Sequence, residues 1–137
     1  MVRSYLPDEA DHEAIRRLID GPATTITGSW TRIEVTGSLV RAARAGRTDV
    51  SSALELFRRD SAPGTGPLLV VDVNQADIEG RALAIVRSSG IRSMDAWHLA
   101  CATIATDALA EPGEERAFVT RDTKQADIAR ELGFTIV

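Results

Sequence analysis

The chain has 137 residues, of which 44% are hydrophobic, and this is enough apolar material for one globular domain of ordinary size. Its 20 acidic side chains outnumber its 16 basic ones, and the formal net charge of -4 at pH 7 argues against a basic coat that wraps nucleic acid non-specifically. The single cysteine excludes an internal disulfide framework and a zinc site built on paired cysteines. We therefore expect a single domain over residues 1–137, in a reducing cytoplasm and without a membrane span.

The first half of the chain combines helical patterns with one short strand pattern. Pro7-Asp8 predicts a helix start, because an aspartate side chain accepts the free amide hydrogens of a first helical turn. The β-branched residues 24–27 predict a strand, and apolar residues at helical spacing come directly after it. The predicted elements are a helix over residues 8–19, a strand over 24–27, and helices over 30–46 and 48–60.

The second half continues the alternation of helices and short strands. An apolar run predicts a buried strand over residues 68–71, and Gly90 ends a helix over 75–89. Ser93 is predicted to cap a long helix that extends through Ala108. A strand over 117–120, a helix over 124–132 and a strand over 135–137 complete the chain. This alternation predicts an α/β fold whose parallel strands are covered by helices.

Three carboxylates, Glu34, Asp95 and Asp122, each lie just past a predicted strand or in the first turn of a predicted helix. In a parallel sheet such positions share one edge, so the three acids are expected to meet. Carboxylate oxygens suit hard cations such as Mg²⁺ and Mn²⁺, and the corresponding chemistry is metal-assisted phosphodiester hydrolysis. Any one of these acids, taken singly, is also explained by its favourable interaction with a helix dipole.

The surroundings of these acids carry a resemblance to a known family. The motifs are Ser-Trp-Thr-Arg-Ile-Glu at residues 29–34, Ile-Arg-Ser-Met-Asp-Ala-Trp-His-Leu-Ala at 91–100 and Phe-Val-Thr-Arg-Asp at 118–122. With them the sequence resembles the PIN-domain nucleases, most closely the VapC-type ribonuclease toxins of bacterial toxin–antitoxin pairs. The likeness extends over nearly the whole chain.

The resemblance implies a PIN-like three-layer α/β/α fold with a parallel sheet. It implies that Glu34, Asp95 and Asp122 are catalytic, metal-binding acids, that Mg²⁺ or Mn²⁺ is the cofactor, and that RNA is the substrate. It further implies two protein partners, a cognate VapB-like antitoxin that neutralises the toxin and a second copy in a homodimer.

The resemblance departs from the family pattern at the N-terminus. PIN domains start with a central strand that ends in an aspartate, and Met1-Val2-Arg3 resembles the segment immediately after that aspartate. Either the chain as given begins too late, with Met1 an internal methionine, or it is a degraded copy. In both cases we expect an N-terminally incomplete domain that is a weak or inactive nuclease. The alternative function is an inactive PIN remnant that binds an antitoxin or another protein without cutting RNA.

Two further side chains are candidates for roles beside the acids. Arg41 lies two turns after Glu34, about 10 Å along the helix axis, and with Arg44 and Arg47 it is a candidate to hold RNA phosphates. A solvated basic face, or a surface paired with an acidic partner, fits these arginines equally well. Thr120 is a candidate to orient the neighbouring acids through its hydroxyl.

Apolar residues at helical spacing in the first half predict a partner surface, because some of them should be more exposed than a monomer core requires. They are Ile15, Leu18, Ile19, Leu39, Val40, Leu54 and Phe57.

Overall fold

The computed structural model describes residues 1–137. Contacts within the chain divide it into an N-terminal unit, Met1–Val71, and a C-terminal unit, Asp72–Val137. Each unit contains helices and one pair of parallel strands. The predicted α/β class with parallel strands is therefore confirmed. No helix combines the length and the apolar character needed to cross a membrane.

The N-terminal unit consists of a 3₁₀ turn, three helices and two strands. They are the turn Val2–Tyr5, α1 (His12–Ile19), β1 (Thr25–Gly28), α2 (Trp30–Arg44), α3 (Val50–Asp60) and β2 (Leu68–Val71). The strands pair with Thr25 opposite Leu68 and Gly28 opposite Val71. The predicted strands over 24–27 and 68–71 and the helix after β1 are confirmed within two residues at each end.

The start of α1 differs from the prediction by four residues. Asp8 does not cap this helix, because its carboxylate lies 2.7 Å from Arg47 Nε, a partner far along the chain. The helix begins instead at His12, and Asp11 precedes it without a side-chain cap. A long-range ion pair has therefore replaced the local cap that the sequence pattern indicated.

The core of the N-terminal unit forms where the 3₁₀ turn and the three helices meet. Its buried members include Tyr5, Leu6, Ile15, Ile19, Val35, Leu39, Phe57 and Leu68. Four residues of the predicted partner surface, Ile15, Ile19, Leu39 and Phe57, are thus core residues, and the prediction is wrong for them. Of that set, Leu18 is the one with a substantially exposed side chain, at 38%.

A buried ion pair joins two helices of the same unit. Asp60, at the last residue of α3, is 1% exposed and accepts a hydrogen bond from the guanidinium of Arg16 on α1. Burial, and then the Asp60 carboxylate, raise the pKa of the neighbouring Tyr5. The α3–β2 loop passes so close that a Cβ at Gly66 would lie 2.1 Å from the carbonyl oxygen of Asp60. Only glycine fits there without moving the backbone.

The C-terminal unit has three helices and two short strands. They are α4 (Gln75–Ser89), α5 (Ser93–Leu109), β3 (Ala117–Phe118), α6 (Thr123–Glu131) and β4 (Thr135–Ile136). Asn74 caps α4, and Gly90 ends it in the left-handed conformation at φ 61°. Ser93 does not cap α5, because it is the first helical residue and Arg92 occupies the capping position without a side-chain hydrogen bond.

Candidate functional site

Glu34 lies in the second turn of α2, which begins just past the carboxyl end of β1. Two hydrogen bonds fix the passage from the strand to the helix. The Thr27 and Thr31 hydroxyls lie 2.6 Å apart, and the Ser29 amide donates to the Val71 carbonyl at 3.2 Å. Thr31 is 4% exposed, so the start of this helix is anchored in the unit, and Glu34 is half-buried.

Asp122 is the N-cap of α6. Its Oδ1 accepts a hydrogen bond from the Gln125 amide at 2.8 Å, and its own amide donates to Thr120 Oγ1 at 3.1 Å. The residue is solvent-exposed, and the cap uses one carboxylate oxygen. Capping thus fixes the orientation of the carboxylate while the second oxygen takes no part in the cap.

Asp95 lies in the first turn of α5 and is half-buried. The next residue, Ala96, is fully buried. A carboxylate at this position interacts favourably with the positive end of the helix dipole. The backbone carbonyl of Asp95 accepts a hydrogen bond from Gln125 Nε2 at 3.3 Å.

Gln125 connects the two aspartates, and the sequence analysis did not identify it. The side chain is 7% exposed, and its Oε1 accepts a hydrogen bond from Thr120 Oγ1 at 2.6 Å. Its amide bonds Asp122 and its Nε2 bonds the Asp95 carbonyl, so one buried residue links the starts of α5 and α6. The available signal was the Asp-x-x-Gln pattern at a helix start, which resembles a capping box.

The arginines proposed for RNA contacts fall into two classes. Arg47 is engaged by carboxylates, with Nε 2.7 Å from Asp8 Oδ2 and Nη2 2.6 Å from Glu9 Oε1. These hydrogen bonds, first that of Asp8, raise the pKa of Arg47. Arg41 instead donates to the Ser38 hydroxyl at 2.8 Å, and neither it nor Arg44 has a carboxylate partner. Arg47 is therefore removed from the candidate set.

The structure thus links two of the three predicted acids. Asp95 and Asp122 belong to the C-terminal unit and share Gln125, whereas Glu34 belongs to the N-terminal unit. Neither unit gathers three metal-ligating side chains on its own. The donors themselves are carboxylate oxygens, which fit Mg²⁺ or Mn²⁺ and not a soft metal. That all three acids meet at one cation stays a prediction.

Comparison with known proteins identifies the family. The family model of the PIN domain matches residues 3–131, which include Glu34, Asp95 and Asp122. No curated protein matches the chain. The chain therefore belongs to the PIN domain family, whose fold is of the nuclease type.

Proposed function

We propose that this PIN domain is a metal-dependent endoribonuclease that hydrolyses RNA phosphodiester bonds. The observation that carries the proposal is the buried residue Gln125, whose backbone amide donates to the Asp122 carboxylate and whose side chain donates to the backbone carbonyl of Asp95. Two acids on different helices are thereby connected to one point of the C-terminal unit. This link between the two helix starts, together with a nuclease-type family fold, favours a site in which both carboxylates act.

The residues that would hold the cation are Glu34, Asp95 and Asp122. A bound Mg²⁺ or Mn²⁺ would supply an activated water and would offset negative charge on the phosphate. The chain's own part is to keep the carboxylates oriented. Thr120 accepts a hydrogen bond from the Asp122 amide and the Gln125 amide donates to its carboxylate, which supports a role of both residues in orienting Asp122.

The proposal includes a toxin role. The motifs around the three acids support a VapC-type ribonuclease that a cognate VapB-like antitoxin neutralises and that works as a homodimer. Co-expression with a cognate antitoxin should suppress both RNA cleavage and growth arrest in the host cell. Growth arrest that persists with a stably bound antitoxin would contradict this role.

A second candidate function is a binding module without catalysis. It is favoured by one observation, namely that neither unit assembles three metal-ligating side chains by itself. Such a domain would bind its protein partner, and RNA would remain intact in the presence of Mg²⁺ or Mn²⁺.

Metal-stimulated cleavage separates the two functions. Purified protein is incubated with end-labelled RNA in Mn²⁺, in Mg²⁺ and in EDTA, alongside Asp95→Asn. The control is Asp127→Asn on α6, an exposed aspartate paired with Arg130 on the surface at 2.7 Å. We expect weak cleavage that occurs only with metal, a loss of roughly a hundred-fold for Asp95→Asn, and no change for the control. If Asp95→Asn cleaved RNA as well as the wild type, Asp95 would not be a metal-binding residue of the site. RNA that stays intact with every metal would favour the binding module.

A further inference from the structure

A cleft in the N-terminal unit lies between the start of the chain and the second half of α2. Its volume is about 400 Å³, which falls within the size range of small-molecule sites. Three arginines, one glutamate and one serine line it, together with four apolar residues. None of the three candidate acids lines the cleft, so it is not part of the proposed cation site. The apolar residues are Val2, Leu6, Ala42 and Ala45.

The end of α2 fixes one wall of the cleft. Gly46 adopts the left-handed conformation at φ 71°, and the amides of Gly46 and Arg47 donate to carbonyls of the last helical turn at 2.9 and 3.0 Å. This helix end turns the chain back, and Arg47 reaches Asp8 and Glu9 at 2.7 and 2.6 Å. Charged hydrogen bonds therefore join the start of the chain to the end of α2 beside the cleft.

Two of the three arginines that line the cleft are already paired with acids. Besides the contacts of Arg47, Arg3 Nε lies 3.6 Å from Glu9 Oε2 and Arg3 Nη1 lies 2.9 Å from Asp11 Oδ2. These two arginines face three carboxylates, because Asp8 also pairs with Arg47. The excess of acid at this side disfavours a polyanion, since like charges repel each other.

The third arginine, Arg41, has no carboxylate partner. Its Nη2 donates to Ser38 Oγ at 2.8 Å, and a Cβ at Gly37 would lie 3.2 Å from its Nη1. Glycine inside a helix is less stable than alanine, and here it leaves the space in which the guanidinium lies. Arg41 keeps its other N–H donors, and the Ser38 hydroxyl has a proton of its own to donate. The two side chains together suit one carboxylate group.

We propose that this cleft binds a small monocarboxylic acid with an apolar tail. The carboxylate accepts hydrogen bonds from the Arg41 guanidinium and the Ser38 hydroxyl, and the tail lies against the apolar residues of the cleft. One negative charge matches the one arginine that has no acid partner, whereas a chain of phosphates would also face Asp8 and Glu9. The inference goes beyond the proposed nuclease function and does not depend on it.

Titration of the purified chain with octanoate, followed by amide NMR, tests the proposal. Octanol and acetate are the matched probes, because octanol lacks the carboxylate and acetate lacks the tail. The variants are Arg41→Ala, which removes the cation, and Ala45→Leu, which fills the cleft and keeps every charge. The control is Arg44→Ala, an exposed arginine of the same helix that does not line the cleft. Thermal unfolding of each variant verifies that it is folded.

We expect octanoate to shift the amide signals of residues 2–9 and 38–47. Arg41→Ala should weaken binding by roughly ten-fold or more, because a charged hydrogen bond is lost. Ala45→Leu should weaken it by a similar factor because the tail loses its space, and Arg44→Ala should bind as the wild type does. Octanol should bind about ten-fold more weakly than octanoate, and acetate about a hundred-fold more weakly, because it buries no methylene groups.

Four results would overturn the inference. They are an absence of shifts at millimolar octanoate, equal affinity for octanol and octanoate, an equal loss in Arg44→Ala, and displacement of octanoate by an RNA whose binding also requires Arg41. The last result would assign this arginine to the nucleic acid. Metal-dependent cleavage by the wild type can occur with any of these results, so the nuclease proposal would survive. Octanoate binding by a chain that leaves RNA intact would support this inference and contradict that proposal.

Discussion

In the C-terminal unit a neutral residue, Gln125, connects two helix starts by hydrogen bonds, whereas the N-terminal unit is tied together by charged pairs between residues far apart in the chain. Gln125 reaches residues at most 30 positions away, and one of its bonds is a local helix cap. Arg16 and Asp60 are 44 positions apart, and Arg47 and Asp8 are 39 apart. The comparison teaches that Gln125 connects the helix starts that carry the two aspartates, and that long-range charge pairing joins α1 to α3 and the end of α2 to the start of the chain.

The largest expected effect comes from breaking the buried charge pair of the N-terminal unit. Asp60→Ala leaves the Arg16 guanidinium without its buried partner, and Arg16 is itself only 16% exposed. Removing one partner of a buried pair costs about 3–5 kcal/mol, so the free energy of unfolding measured in urea should fall by that amount.

Arg59→Ala is the matched control, because Arg59 approaches the same carboxylate at 3.7 Å from a side chain that is 71% exposed. We expect a change within about 0.5 kcal/mol. Equal losses for Asp60→Ala and Arg59→Ala would show that the buried pair has no special part in this unit.

The next effect tests the uncharged link in the C-terminal unit. Gln125→Leu keeps most of the side-chain volume but leaves the Thr120 hydroxyl and the Asp95 carbonyl without this partner. We expect a loss of roughly 1–3 kcal/mol in the free energy of unfolding, with a parallel loss of RNA cleavage. Gln75→Leu, at the exposed first residue of α4, should change neither quantity. If Gln125→Leu cleaved RNA as well as the wild type, Gln125 would have no role in the proposed site.

Two substitutions of Asp122 separate capping from metal binding. Asp122→Ala removes the cap of α6 and should lower the free energy of unfolding by about 1 kcal/mol, whereas Asp122→Asn caps equally well and should leave it unchanged. Both remove the charge, so both should abolish metal-dependent cleavage. Thermal unfolding and cleavage assays on the pair check this, and an active Asp122→Asn would reduce the residue to a helix cap.

The smallest effect concerns Gly37, in the middle of α2. Alanine is the better helix former by roughly 0.5–1 kcal/mol, so Gly37→Ala should raise the free energy of unfolding. The new methyl group displaces the Arg41 guanidinium, which would otherwise lie 3.2 Å away. Greater stability with weaker octanoate binding is therefore expected, and a less stable Gly37→Ala would show that the helix needs this glycine for packing.

Local signals account for the elements that the sequence predicted well. The bounds of α4 are set by Asn74 and Gly90, a side-chain cap and a left-handed terminator that act on their own neighbours. The same reasoning failed at Asp8, because Arg47 competes for its carboxylate. It failed for Ile15 and Phe57 because helical spacing identifies an apolar face but not the element that covers it.

The residues of the candidate site likewise divide into those that local signals identified and those whose role depends on contacts between elements. Asp95 and Asp122 were identified from their places at helix starts, which are local features. Gln125 was not, since its role depends on the approach of α5 to α6, and no spacing within one helix encodes that approach. The removal of Arg47 from the RNA-contact candidates likewise results from two acids near the start of the chain.

The most direct test of whether three carboxylates bind one cation is the affinity for Mn²⁺, measured by isothermal titration calorimetry. The proteins compared are the wild type, Glu34→Gln, Asp95→Asn and Asp122→Asn. Asp127→Asn is the control. We expect each of the three variants to weaken Mn²⁺ binding by ten-fold or more, on the order seen when metal-site residues are replaced, and the control to bind as the wild type does. Unchanged affinity in Glu34→Gln, with losses in the two aspartate variants, would contradict a shared site, and unchanged affinity in all three would contradict a metal centre at these residues.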